Sequence, residues 1–336
     1  MVKIYEPGGH GNSFIAGSPS QQEVQRDEVC SEFQNAKDHQ VENIKDVGQP
    51  TVVEININKQ YQTDLFRVGC MIYSNDDFLW ISSGTDGVLQ RVKPEGTKLN
   101  ILSSFNISVY GMAITQSNNL LVSTGDSRLK QFSKNTGTLS DTVYIVSPFR
   151  STDFYITRDN KVLAGCVNED FPKQGRRVIM LMDQNGECES VYEHDQHKQP
   201  IFTYPWSITH TSNGNIHVVD RVSDKGGRVE VLGQDGALIN IYTGDTEINK
   251  GRQFYPTDIV TTPRDNVIVA DINTDTLHIL NNAGLLITYY NTSNINIMLP
   301  YSLAFSPTGQ LYIGCTRTKG NTTKENRIYE VTISRC

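Results

Sequence analysis

From Tyr255 to Tyr290 the chain alternates short apolar runs with polar turns. Asp258 to Thr262 is followed by Pro-Arg-Asp-Asn, then by Val267 to Asp271, a turn at Asn273 to Asp275, Thr276 to Leu280, a turn at Asn281 to Gly284, and Leu285 to Tyr290. Four runs of strand length, rich in β-branched and aromatic residues and bounded by Asn, Asp, Gly and Pro, predict a four-stranded antiparallel meander. The first two runs are apolar on both parities, whereas the later two alternate more. That gradient fits a wedge whose inner strands pack between neighbours and whose outer strand meets water.

The unit recurs. Aligned on the first turn and second strand, the copies are Ser74 to Ser82, Gln116 to Thr124, Arg158 to Cys166, Thr211 to Asp220, Arg264 to Asp271 and Ser306 to Cys315. Their period of roughly 40 to 50 residues is that of propeller blades, and the runs lack the three- and four-residue apolar steps of a helical solenoid. The sixth copy ends without a fourth strand. Residues 52–57, after the helix-breaking Gly48-Gln49-Pro50, have the pattern to supply it, which closes the ring and removes two open sheet edges. The expected architecture is therefore an all-β, six-bladed β-propeller over 51–336, behind a flexible, partly helical tail over 1–50.

Charge divides unevenly along the 336 residues. The net value is −7, and residues 1–50 hold four Lys/Arg against eight Asp/Glu, leaving 26 against 29 for the rest. A general basic footprint for nucleic acid is absent, although a local patch is compatible with these numbers. The six cysteines, at 30, 70, 166, 188, 315 and 336, form no CxxC and share no short spacing, so free thiols are expected over disulfides or zinc ligation. No apolar run approaches a membrane span and no secretory signal follows Met1, so a cytoplasmic location is expected.

Two candidate surfaces stand out. The segments 168–177, 221–228 and 316–326 all fall between second and third strands and bring Arg176, Arg177, Arg221, Arg228 and Lys319 to one loop face, locally basic on a net acidic chain. Aromatic residues gather where the inner strands begin, with Trp206, Tyr255 and Tyr301 as candidate anchors. Asp153, Asp258, Ser207 and Ser302 begin innermost strands and are candidates to line the central channel. Asp220 and Asp271 read as structural acceptors of backbone hydrogen bonds. Glu193 to His197 reads as a solvated connection, and no GxSxG, phosphate loop or second ligand cluster accompanies it. No catalytic, metal-binding or cofactor-binding residue is assigned.

Val-Val-Asp220 and Val-Ala-Asp271, their preceding Asn/Asp-Asn/Gly turns, and the blade starts Tyr204-Pro205-Trp206-Ser207-Ile208, Tyr255-Pro256-Thr257-Asp258-Ile259 and Leu299-Pro300-Tyr301-Ser302-Leu303 resemble NHL repeats. The layout is similar to the C-terminal propeller of tripartite-motif proteins of the invertebrate, especially molluscan, type. Blades one to three depart from the motif, with Ser82, Ser123 and Gly165 where the Asp is expected. The resemblance implies a non-enzymatic module that recruits a protein or peptide target for a ubiquitin ligase, or single-stranded RNA in the alternative. One Cys and two His in residues 1–50 leave no place there for RING or B-box zinc. A further alternative is a calcium-dependent hydrolase of the gluconolactonase or paraoxonase type, in which Glu, Asn and Asp surround the metal in the channel.

Overall fold

The computed structural model describes residues 53–133, 135–317 and 326–334. They form six sheets of four antiparallel strands, a six-bladed β-propeller. The inner strands are Cys70–Tyr73, Gly111–Ile114, Arg150–Ile156, Pro205–His210, Pro256–Thr261 and Pro300–Phe305, taken as blades 1 to 6. Residues 1–52 and Lys319 lie outside the described residues, and with them the expected tail and the Cys30 and Cys336 thiols.

Closure follows the expected route. Glu54–Thr63 runs antiparallel to Asn326–Ser334 as the outer strand of blade 6, with Ile55 opposite Ile333 and Ile57 opposite Val331. The strand continues to Thr63, beyond the Ile57 limit of the sequence pattern, because alternation gives way to a polar stretch whose one large apolar residue, Tyr61, turns inward. Tyr61 is fully buried and its hydroxyl donates to Glu330 Oε2 at 2.6 Å.

Among the described residues the core divides into six apolar clusters, each spanning two adjacent blades. Blades 5 and 6 share Ile268, Leu277, Ile279, Leu311, Ile313 and Val331, together with Val53 and Ile55 of the closing strand. Blades 3 and 4 share Leu163, Ile179, Ile208, Val218 and Leu232. Side chains of both parities on the middle strands therefore find a neighbouring sheet to pack on. In blade 5 every residue of Val267–Asp271 and of Thr276–Leu280 is buried, and only Leu286–Asn291 alternates. The third strand is thus as enclosed as the second. Its polar His278 misled the pattern, being fully buried with Nδ1 2.8 Å from the Tyr242 hydroxyl.

Two local readings need correction. The segment 221–228 is a strand hairpin rather than an open loop: Ile216–Ser223 pairs with Gly226–Leu232, and Asp220 faces Arg228 across the ladder. The repeat frame also shifts by one residue. Ser207 pairs with Val219 and Cys70 pairs with Ser82, so the counterpart of Asp220 in blade 1 is Ser83. Blades 2, 3 and 6 carry Thr124, Cys166 and Cys315 there by the same register. Cys70, Cys166, Cys188 and Cys315 are free cysteines.

Candidate functional site

In blades 3 to 6 the inner strand contains a register shift, between Ser151 and Asp153, Pro205 and Ser207, Pro256 and Asp258, and Pro300 and Ser302. Each is a one-residue bulge, leaving Thr152, Trp206, Thr257 and Tyr301 unpaired, and a bulge re-aims the side chain it carries. Proline suits the strand start of blades 4 to 6 because that position lacks a ladder donor. Blades 1 and 2 have neither feature.

The bulged aromatics build one end of the central channel. Arg67, Tyr110, Thr152, Trp206 and Tyr301 line a cavity of about 40 Å³ there. The Arg221 guanidinium lies over Trp206, its Cζ 3.1 Å from the ring centroid, and 5.6 Å from that of Tyr255. Arg221 Nη2 and Arg67 Nη1 both donate to the Tyr301 hydroxyl at 3.2 Å. Trp206 Nε1 donates to the Thr257 carbonyl at 3.0 Å, locking the ring edge-on to the next blade.

The two surfaces treated as alternatives in the sequence are therefore one. Four antiparallel strands return the chain to the side on which it started, so the hairpin between second and third strands and the start of the first strand share a face. Arg221 from the hairpin and Trp206, Tyr255 and Tyr301 from the strand starts meet at the channel mouth.

The other predicted basic residues play different parts. Arg177 is buried and donates to the carbonyls of Thr203, Arg176 and Lys173. Arg228 holds the buried Asp220 at 3.1 Å and donates to the Ile201 carbonyl at 3.0 Å, while its Nε approaches Glu230 Oε1 at 2.6 Å without hydrogen-bond alignment. Asp220 also accepts from the Thr203 and Tyr204 amides, and Asp271 accepts from those of Tyr255 and Asn273, so both carboxylates fasten the loop that starts their own blade. Burial raises the pKa of Asp220, and it raises that of Glu230 to about 7. Arg228→Ala is expected to cost about 3 kcal/mol in denaturant unfolding, because it strands two buried carboxyl groups. Arg176 is exposed and makes a bidentate pair with Glu193 at 2.8 and 2.7 Å, so Arg176→Ala should change stability by less than about 1 kcal/mol.

Below the mouth, the inner strands bring six side-chain positions to one level by register: Cys70, Gly111, Asp153, Ser207, Asp258 and Ser302. Asp153, Asp258, Ser207 and Ser302 were legible as candidates, and Cys70 and Gly111 were not. Ser207 Oγ donates to Asp258 Oδ1 at 2.7 Å. Asp258 also accepts from the Ile259 and Leu303 amides, and Asp153 Oδ2 accepts from the Ile208 amide at 3.1 Å. Each carboxylate thus satisfies the otherwise open inner edge of the next blade. Asp153, Ser207 and Asp258 face a cavity of about 250 Å³ whose remaining walls include Met71, Met112, Phe154, Tyr155 and Phe305. Burial, then the charge of Asp258, raises Asp153 to about 8; burial raises Asp258 to about 6. Burial, then the charges of Asp153 and Asp258, push the Cys70 thiol far up.

A calcium shell needs six to eight oxygens. Here two carboxylates stand two blades apart, that of Asp258 already committed to three donors, and no group of three His, Cys, Asp or Glu side chains converges among the described residues. The donor set does not fit the calcium site that a gluconolactonase-type reading anticipates.

No family model matches the chain, and no curated protein matches it. Solved structures match in fold. A gluconolactonase from Xanthomonas campestris shares 10% identity at a TM-score of 0.59, covering 83% of this chain and 89% of its own. A luciferin-regenerating enzyme shares 12% at 0.59, covering 84% and 95%. A virginiamycin B lyase from Staphylococcus aureus shares 12% at 0.51, covering 78% and 79%. None of these three structures carries an NHL or tripartite-motif name, and at such identities the likeness concerns architecture alone; the chain is a six-bladed β-propeller of the shape that gluconolactonases and streptogramin-type lyases share.

Proposed function

We propose that the protein is a non-catalytic binding propeller that takes a protein or peptide ligand on the face bearing the channel mouth. The observation that carries this reading is the clustering of Arg221, Trp206, Tyr255 and Tyr301 around one opening. Arginine and large aromatics, rigid and partly desolvated, are the residue types that concentrate binding energy in interfaces. The NHL-like blade starts that supply these aromatics support the same reading, and a recruiting role in ubiquitin transfer would follow from the resemblance. Single-stranded RNA fits less well: of the five basic residues singled out in the sequence, Arg177 and Arg228 are spent inside the fold and Arg176 is neutralised by Glu193.

Affinity capture tests this. The wild type and an outer-strand control, Tyr289→Ala, should retain the same proteins from a lysate of the source organism, and the Trp206→Ala/Arg221→Ala double variant should lose them. Retention by all three would end the proposal.

A second reading, hydrolysis of a small cyclic ester, is favoured by a different observation: the fold's enzyme-named relatives, together with two carboxyl groups of raised pKa facing one cavity. Carboxyls titrating near neutrality suit proton transfer, and this reading has more support from the comparisons than the ubiquitin-linked one. Turnover of gluconolactone that Asp153→Asn abolishes and the Trp206/Arg221 variant leaves intact would replace the first reading with the second.

A further inference from the structure

Resting on the reading that the channel mouth binds a protein, we infer that the group it seats is a carboxylate: an acidic side chain of the partner, flanked by apolar residues. The arginines of the fold are unevenly compensated. Arg91, Arg128, Arg150, Arg176 and Arg228 each meet an Asp or Glu. Arg221 meets none among the described residues, although it is half-buried and its Nε is enclosed without a hydrogen-bond partner. Its contacts are the π-faces of Trp206 and Tyr255 and a neutral hydroxyl, which it shares with a second guanidinium.

A partly desolvated cation is costly without a counter-charge. An anion placed beside the Tyr301 hydroxyl supplies one to Arg221. Stacking fixes the plane of the Arg221 fork, and a planar fork held at its face presents its edge to a planar two-oxygen acceptor.

Size and surroundings select among anions. Trp206 and Tyr301, which Arg221 contacts, line a cavity of about 40 Å³, a fit for a small group rather than a bulky one. Tyr110, 39% exposed, offers apolar surface in its wall. A polyanion would have to approach a chain of net charge −7 on which Arg176 and Arg228 are already paired with carboxylates, whereas a single carboxylate needs only the mouth itself.

Fluorescence anisotropy with a labelled peptide of four Phe-Glu repeats provides the test, against the matching Phe-Gln peptide and an octamer of uridylate. The Phe-Glu peptide is expected to bind at least about tenfold more tightly than the Phe-Gln peptide, the scale of one charge-assisted hydrogen-bonded pair. Arg221→Glu should remove that advantage, Arg221→Lys should keep about a third of it because the charge stays while the stacked fork is lost, and Tyr301→Phe should reduce it by about threefold. Thermal melts of each variant identify any that fails to fold, and Arg221→Gln serves as the milder replacement. Equal binding of the two peptides, indifference to Arg221→Glu, or preferential binding of the uridylate octamer would overturn the inference. If the affinity capture depends on Trp206 and Arg221 while the peptides bind alike, the face is right and the carboxylate wrong; if neither responds, both fall.

Discussion

Removing residues 53–63 is expected to abolish cooperative folding of the propeller, seen as loss of a single thermal transition and as aggregation at micromolar concentration. The strand contributes Val53, Ile55 and Tyr61 to the interior, all buried. At about 2 kcal/mol for each large buried side chain these alone supply about 6 kcal/mol. A domain's whole margin is about 5–15 kcal/mol. The strand also closes the ladder to Asn326–Ser334 from Glu54 through Thr63. Without it that strand becomes an exposed edge bearing Tyr329 and Val331, a template for pairing with another chain. A synthetic peptide of residues 53–63 added during refolding should restore the transition in part, because the pairing is non-covalent. Tyr61→Ala, which empties a fully buried site and frees Glu330 from one of its two tyrosine donors, should cost about 3–5 kcal/mol. An unaltered melt of the truncated chain would mean that the ring does not depend on this seam.

That seam was legible because a missing fourth strand and an orphan strand pattern are both visible in a sequence of repeats. The site was legible only in its residue types. Asp153, Ser207, Asp258 and Ser302 could be placed at the channel from their positions in the unit. Their partners Cys70 and Gly111 could not, because the two blades that carry them have no bulge and therefore start one residue differently. Gly111 matters to the site: an added Cβ there would overlap Asp153 Oδ1, so the glycine leaves the carboxylate its space. A bulge is a single unpaired residue and has no periodicity of its own, but the Pro-aromatic pairs Pro205-Trp206 and Pro300-Tyr301 were its trace. The identity of the two faces needed only the count of strand directions. The burial of Arg177 and the pairing of Arg228 with Asp220 could not be read from composition, since a guanidinium counts the same whether it faces water or fastens a loop.

The ring carboxylates make the fold's stability depend on pH in a direction opposite to the usual surface carboxylate. Asp153 is raised from the ordinary 3.8 to about 8, first by burial and then by the charge of Asp258. Between those values the folded chain holds a proton that the unfolded chain has lost, so stability from this group is present below pH 4 and drains away as pH rises toward 8. Asp141, Asp159, Asp183 and Glu193 are held down by their hydrogen bonds and act the other way, adding stability above pH 4 that is lost on acidification. Subtracting wild type from Asp153→Asn isolates the first effect. Asn keeps an oxygen for the Ile208 amide and cannot ionise. The variant should match wild type near pH 4 and exceed it by about 3 kcal/mol at pH 9, several degrees in Tm, after discounting for the carboxyl's partial access to the channel. Asp258→Asn should behave differently. Both its oxygens already accept, from Ser207 and the Ile259 amide on one side and the Leu303 amide on the other, so an amide nitrogen must oppose a donor and destabilise the inner edge, most plainly above pH 6 where the wild-type group is an all-acceptor carboxylate. Urea unfolding of the three proteins from pH 4 to 9 checks both statements. A difference between wild type and Asp153→Asn that stays flat across that range would mean the carboxylate is solvated through the channel and carries its charge at little cost. The ring would then be an ordinary set of edge caps, and the case for proton transfer at this level of the channel would go with it.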